Sequence, residues 1–528
     1  MKFECNSIYL VFPVSHTAQK KKLSFMNKGT LVFDLEIELD YVCPDYSVYI
    51  NIERFRGMEI ELVCEPEVRM DLQTSDVKYS GMEFYHEKYR QQFHFSPKLG
   101  WINDPNGLVY YKGIYHLFFQ HNPAGAKWGN MHWGHATSKD LVHWDELECS
   151  LYPDKLGTMF SGSAIVDKKN VAGLKSNENE VILLFYTAAG NESELSKGQS
   201  FTQCMAYSTD GGKVYKAYEN NPLIPEIASS NRDPKVIYDE ESDSYVMVLF
   251  LINNSFALLS SKNLLEWKQL QEISLEEDAE CPDFYPLAVD SDKNNVKWVF
   301  SGASGKYFIG SFNGNRFKPE TGTLRLRYGN NSYASQTWSD IEPQDGRRIR
   351  IAWDTCDIPA AYFNKSLSFP CEMTAKTVED GIYLFTYPIK EIESLYKASA
   401  VYNDIFIAEN TIYSLELNGK AYDINLKLPY PKKTTFGITF FGMNLECNTA
   451  ENQLKCLKQT APLASVDGAL ELRILIDTAS VEIFINKGQF YLAHGFMMDF
   501  NINRLKLESD HTGIQVSELK VCEIKSIW

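Results

Sequence analysis

The sequence has no run approaching the roughly 18 apolar residues needed to cross a bilayer, and no strong, long 3.6-residue apolar pattern of the kind that marks amphipathic helices. It also lacks a basic surplus. With 52 lysines and arginines against 69 aspartates and glutamates, the net charge is −17, which argues against a nucleic-acid partner, whose surface needs clustered cations. An uncharged small-molecule substrate is left open, and no membrane partner is expected. Cysteine pairing is missing too: the eleven cysteines are an odd number, scattered without paired spacing. In a chain this long they read as reduced, mostly buried thiols and favour a cytoplasmic location. The N-terminal MKFECNSIYLVFPVSHTAQKKK has a lysine and a short apolar stretch, but Glu4, Cys5 and Asn6 break its start and no clean small-residue cleavage site follows. It reads as a first β-strand rather than a signal peptide.

What the chain does have is length, aromatics and repetition. Its 528 residues allow about three domains, and a composition 44% hydrophobic and 13% aromatic supplies buried cores and favours strands. TSKDLVHWDEL (137–147) and SSKNLLEWKQL (260–270) share a Ser-Lys-Asp/Asn-Leu-x-x-Trp pattern, and YSTDGGKVYKAY (207–218) and GSFNGNRFKPE (310–320) are looser copies. Their serines, Ser138, Ser208, Ser261 and Ser311, lie about 50–70 residues apart, near or above the period of four-stranded propeller blades. Hairpin signals fill the intervals, as in LVYYKGIYHLFFQ with its turn at Lys112-Gly113. Four copies with room for a fifth point to an all-β fold: a five-bladed propeller over residues 83–396, with its axial funnel. A small β domain over 1–82 precedes it, and a β-sandwich over 397–528 follows, where LELRILIDTASVEIFIN and GIQVSELKVCEI alternate as sandwich strands do.

Polar motifs interrupt the apolar strands about once per blade: Asp104 in NDPNG, Ser161 to Ser163 in FSGSA, Asp233 in NRDPK, Glu280 in DAECPDFYPL and Gln336 in YASQTW. Singly, each has an ordinary explanation. Asp-Pro-Asn-Gly is a tight-turn sequence, Arg-Asp-Pro suits a surface loop, and the single cysteine of ECPD has no spaced partner for a metal site. Jointly, a spacing in step with the blade period brings all five to one end of the axis and crowds three carboxylates into one funnel. Such a group around a neutral substrate suits glycosidic bond cleavage, in which one carboxylate attacks or supports the anomeric carbon and a second, protonated, serves the leaving oxygen. Glu280 is the acid by this reading, its ionisation resisted by whichever of Glu276, Glu277, Asp278 and Asp283 lie close in space. Asp104, beside the amides of Asn103 and Asn106, is expected to be hydrogen-bonded and ionised. QHNPAGAKWGNMHWGHA (120–136) offers aromatic faces and amides for a sugar wall. Its His121, His132 and His135 have no acidic partners at a ligand spacing, so burial against backbone groups is expected and a metal is not.

Taken together, WINDPNG, QHNP with WGNMHWGHA, FSGSA, RDPK, ECPDFYPL, YASQTW with DGRRIRIAW, and SVEIFIN resemble glycoside hydrolase family 32, the β-fructosidases. The likeness runs from about Tyr89 to the C-terminus, and the YHEKYRQQFHFSPKLGW lead-in with the short β domain before it looks like the bacterial fructanase branch. It implies a five-bladed propeller with a C-terminal β-sandwich, and retaining hydrolysis without metal or organic cofactor. Asp104 would be the nucleophile, Glu280 the acid and later the base, and Asp233 the grip on fructose hydroxyls. Asn103, Gln120, Trp128, Phe160, Ser161 and Arg232 match fructose-binding positions. Ala279 stands where an aromatic residue is common, Arg327 replaces a common aspartate before Tyr-Gly, and IAWDTCDIPAAYFN departs from the usual strand end, all of which bears on leaving-group preference. Three rivals stand beside exo-hydrolysis of sucrose or fructans. A sucrose-6-phosphate hydrolase needs a basic rim, for which Lys127, Arg325 and Arg327 are the candidates. A fructosyltransferase uses the same carboxylates, and a non-catalytic fructan-binding protein would be free to lose one. Packing or homo-oligomer formation is the expected role of the N-terminal domain.

Overall fold

The computed structural model describes every residue except Asp380 and His511. Its described residues form 43 strands and two short 3-10 helices, as the high β-branched and aromatic content favours. Five groups of consecutive strands make the propeller. Blade 1 starts with Gly100–Tyr111, blade 2 with Thr158–Asp167, blade 3 with Arg232–Asp239, blade 4 with Asp283–Val289 and blade 5 with Tyr333–Thr337. These innermost strands pack side by side around the axis, and the ring closes where Tyr110 N–H donates to Ser339 O at 3.0 Å and Ser339 N–H to Leu108 O at 2.9 Å. Blades 4 and 5 also share one sheet through the parallel pair Val289 and Ala375.

The serine repeat marks one turn used four times. In blades 1 to 4 an Asp or Asn two residues after the repeat serine accepts the N–H three residues ahead: Asp140 from His143 at 2.8 Å, Asp210 from Lys213 at 3.1 Å, Asn263 from Glu266 at 2.9 Å and Asn313 from Arg316 at 2.9 Å. A short polar side chain thus does the work of a backbone turn between the third and fourth strands.

At the C-terminal end a seven-stranded and a six-stranded sheet enclose a core that includes Leu426, Ile438, Leu445, Leu472 and Ile483. The strand Ser480–Ile485 is buried at every position instead of alternating. Val481, Ile483 and Ile485 face the sandwich core, while Phe484 joins the propeller-side cluster with Phe93, Trp338 and Tyr491. A sheet covered on both faces reads as continuous apolar sequence. Within this interface the His94 ring lies between Asp477 Oδ2 at 2.8 Å and Glu482 Oε2 at 3.0 Å, all three side chains fully buried.

Residues 2–75 form a second, smaller pair of sheets. One is four-stranded and includes Lys21–Asn27 and Thr30–Ile37; the other holds Tyr9–Val14 and Tyr46–Asn51. Leu10, Phe12, Phe25, Phe33 and Val48 fill the space between them. The unit rests on the propeller through Arg54, whose guanidinium lies 4.9 Å from the Tyr152 ring centre, and through Lys78, 3.0 Å from Glu148.

Candidate active site

The site is made by irregularities at the same place in successive blades. Pairing of blade 1's inner strand slips between Ile102 and Pro105, that of blade 2 between Phe160 and Gly162, that of blade 3 between Arg232 and Lys235, and that of blade 5 between Tyr333 and Gln336. An extra residue in one strand bends it and re-aims a side chain, and the residues so released include Asn103, Asp104, Ser161 and Asp233. In blade 4 the polar residue comes just before the strand, with Glu280 and Cys281 at φ 43° and 40°. Asp233 too is left-handed, at φ 65°. Such strain in non-glycine residues gathers where the surrounding structure fixes a functional side chain. Gly162 is required for close approach: a Cβ there would stand 1.9 Å from Phe185 O.

The expected turn at Asp-Pro-Asn-Gly is therefore not a chain reversal. All of Gly100–Tyr111 is one bulged strand, and the reversal comes after it, at Lys112-Gly113. The same conformational tolerance serves the bulge, Gly107 having φ 54°.

One continuous set of polar contacts joins the three carboxyl groups. Ser161 Oγ donates to Asp104 Oδ2 at 2.7 Å, and the Cys281 thiol lies 3.3 Å from that oxygen and 3.4 Å from Asp233 Oδ2. Asp233 also accepts the Cys281 N–H at 3.0 Å. Arg232 lies 3.7 Å from Asp233 and donates to Glu280 Oε2 at 2.7 Å, while Tyr333 O–H donates to Glu280 Oε1 at 2.6 Å. Loss of water raises Asp104 above the ordinary carboxyl range; the Ser161 hydrogen bond opposes this and the Glu280 charge adds to it. Asp233, 2% exposed, is pushed up to about 7 by burial, against the pull of Arg232 and with the help of Glu280 and Asp104. Burial, then the charges of Asp104 and Asp233, keep the Cys281 thiol protonated and therefore a donor.

Of the four sequence neighbours expected to crowd Glu280, Glu276 is exposed and the other three are engaged elsewhere. Glu277 pairs with Lys306 at 2.6 Å, Asp278 accepts the Ser304 and Lys306 N–H groups, and Asp283 pairs with Lys235 at 3.2 Å. Glu280 instead meets Arg232 and Tyr333, from the neighbouring blades. Tyr333 and Cys281 are participants that residue-type reasoning passed over, although both lie in motifs that the blade spacing flags.

Other expected residues line the same end. Asn103 Oδ1 accepts the Trp101 indole N–H at 2.8 Å, and Gln120, 2% exposed, donates to Met159 O at 2.8 Å. Trp128 stands 48% exposed with its ring edge-on to Phe160 at 6.2 Å. Gln336 is buried in blade 5, and neither atom of its amide meets a hydrogen-bond partner, so the carboxyl network does not include it. His121 and His132 bond Trp101 O and Asn130 O, and His135 bonds His116. Among the described residues no group of three or more His, Cys, Asp or Glu has metal-binding geometry. Of the three cations considered for a phosphate, Lys127 lies 3.4 Å from Glu38, Arg327 donates to Gly329 O and Asn331 O, and Arg325 donates to Arg327 O.

Comparison with known families decides the kinship of this arrangement. The profile of the glycosyl hydrolases family 32 N-terminal domain matches residues 94–388, and that of the family 32 C-terminal domain matches 443–523. The chain belongs to glycoside hydrolase family 32. Within the family it is 34% identical over 499 residues to a levanase of Bacillus subtilis, covering 84% of this chain and 72% of the levanase. The crystal structure of exo-inulinase from Aspergillus awamori superposes with a TM-score of 0.77 at 26% identity, over 84% of this chain and all of that one. Fructofuranosidase from Schwanniomyces occidentalis, complexed with fructose, gives 0.75 at 25% identity, over 83% and 99% of the two chains. Family membership makes the protein a β-fructosidase-type glycoside hydrolase with the propeller-and-sandwich fold of these neighbours.

Proposed function

We propose that the chain releases terminal fructose from sucrose, fructo-oligosaccharides or β-fructans with retention of configuration, the chemistry lying within residues 83–396. The observation that carries this reading is the joining of three carboxyl groups by Cys281 and Arg232 into one network in unlike surroundings. Asp104, aimed by the blade 1 bulge and held by Ser161, attacks the anomeric carbon and forms a fructosyl-enzyme intermediate. Glu280 gives its proton to the departing oxygen, then takes one from the water that cleaves the intermediate. Asp233 and Arg232 grip fructose hydroxyls, and Asn103, Gln120, Trp128, Phe160 and Ser161 shape the pocket. The names of the relatives, levanase, exo-inulinase and invertase among them, accord with a fructan or sucrose substrate. The ion pair and carbonyl contacts already made by Lys127 and Arg327 favour an unphosphorylated one.

No helix among the described residues is long and apolar enough to cross a membrane. Eleven free cysteines, eight of them buried, accord with a cytoplasmic site of action. The test is product analysis by chromatography on sucrose, a short β-2,1 oligosaccharide and a short β-2,6 one. Free fructose should be the first product, and Asp104→Asn should lose ~10³-fold or more of the rate while keeping the fold. Absence of fructose from every substrate would overturn the reading, and longer products at high sucrose would reveal transfer.

A further inference from the structure

The N-terminal unit lies before the residues matched by the family profiles, which begin at 94, yet it reaches the rim of the candidate active site. Two propeller loops meet it there. One, residues 123–131, joins the second and third strands of blade 1 and carries Trp128; the other, residues 190–201, joins the equivalent strands of blade 2. Asn130 fastens the first loop by treating Glu36 as a strand partner. Glu36 N–H donates to Asn130 Oδ1 at 2.8 Å, and Asn130 Nδ2 donates to Glu36 O at 2.7 Å. The Asp34 carboxylate fastens the second loop by accepting the N–H groups of Glu194 and Leu195, both at 3.0 Å. Lys22 adds an ion pair to Glu194 at 2.5 Å. Charged side chains that make hydrogen bonds to backbone groups hold loops more firmly than surface ion pairs alone.

Between the unit and these loops is a cavity of about 370 Å³, whose walls include Glu36 and Lys22 on one side and Trp128, Asn130, Asn191 and Glu192 on the other. Its volume falls in the range of small-molecule sites. Four of the charges around it are in ion pairs, Lys22 and Lys197 both with Glu194 and Glu36 with Lys20 at 2.9 Å, and the Asp34 carboxylate is taken up by backbone N–H groups. A wall of largely engaged charges, amides and one exposed aromatic face suits a polar, uncharged ligand rather than an anion, as sugar hydroxyls and C–H faces require. Trp128 links this cavity to the candidate active site: it stands in the cavity wall, and its ring lies edge-on to Phe160 at 6.2 Å, the residue before the Ser161 that holds Asp104.

We infer that the N-terminal domain completes a second sugar-binding subsite, one that takes the third and later units of a β-fructan chain whose terminal fructose occupies the catalytic pocket. The inference rests on the β-fructosidase reading and deepens it: the domain sets a preference for chains over sucrose, which is too short to reach this wall.

The test uses the full chain and two plugs introduced from opposite walls, Glu36→Trp and Glu192→Trp. Both positions are exposed, and the Asn130 clasp uses only the Glu36 backbone. Kinetics are measured on sucrose and on a β-fructan oligosaccharide of five units. Sucrose turnover should stay within about two-fold of the parent, while KM for the oligosaccharide rises ~10-fold with kcat held, the equivalent of one or two lost hydrogen bonds. Sucrose turnover also certifies folding, and either plug suffices if the other fails to fold. Calorimetry of the same oligosaccharide on Asp104→Asn, with and without a plug, should show the same weakening with no chemistry involved. Equal effects on both substrates, or no effect on either, would overturn the inference while leaving the β-fructosidase reading intact. A parent that releases fructose from neither would overturn the reading, and the inference with it.

Discussion

Asp233 sets activity against stability, and the conflict is measurable. Its carboxyl is 2% exposed and moves from an ordinary 3.8 to about 7 because it is buried, with Glu280 and Asp104 adding repulsion and Arg232 offsetting part of it. In the unfolded chain it titrates near its ordinary value. A folded value above the unfolded one means that its contribution to folding is fully present below pH 3.8 and is lost as pH rises through 7. At pH 8 the ionised group therefore opposes folding, by at most ~4 kcal/mol for a shift of roughly three units. An asparagine keeps an oxygen to accept the Cys281 N–H but sets an amide NH2 near Arg232, so we expect Asp233→Asn to recover about 1–2 kcal/mol of that ceiling. Thermal unfolding followed by calorimetry should place its Tm about 1–2 °C above the parent's at pH 8, with the gain shrinking from pH 7 downward and vanishing by pH 4. Turnover should fall by orders of magnitude in the same variant. A variant no more stable than the parent at pH 8, or one whose gain is the same at pH 4 and pH 8, would refute the reasoning.

Two further outcomes follow from other contacts. His94 is raised to about 10 because hydrogen bonds and charge from Asp477 and Glu482 outweigh its burial, so the stability it adds is complete below its ordinary 6.5 and is lost as pH climbs through 10. Denaturant unfolding should show the parent weakening across that window and His94→Ala flat across it, less stable by about 3–5 kcal/mol at pH 6 because two buried carboxylates lose their cation; a variant of parental stability would refute the role. Tyr333→Phe removes the donor 2.6 Å from Glu280 Oε1 and should lower kcat by about ten-fold with little change in KM. Steady-state kinetics that show a raised KM at unchanged kcat would place Tyr333 in binding instead.

How far the site could be read from the chain depends on which neighbours a propeller provides. Spacing sufficed to gather Asp104, Ser161, Asp233 and Glu280, because a repeat of one blade returns each motif to the same end of the axis. The links confirm the period: Ser161 and Asp104 are 57 residues apart, Glu280 and Arg232 are 48, and Tyr333 and Glu280 are 53. The surroundings of Glu280, by contrast, could not be read locally. Glu277, Asp278 and Asp283 sit within three residues of Glu280 in sequence, yet their partners are Lys306, the Ser304 backbone and Lys235. Alternate side chains of an extended chain point apart, and a strained residue such as Glu280 breaks even that alternation. The partners of Glu280, Arg232 and Tyr333, stand one blade away to either side, whereas the cation that offsets the burial of Asp233 is its own sequence neighbour Arg232. Asp-Pro-Asn-Gly was misread for a related reason: its tolerance of unusual backbone angles is visible in sequence, but whether that tolerance reverses a strand or bulges it is settled by the partner strand. The N-terminal unit's grip on the rim was beyond reach altogether, since Asn130 binds the backbone of Glu36, and a backbone amide carries no signature in the side chain printed above it.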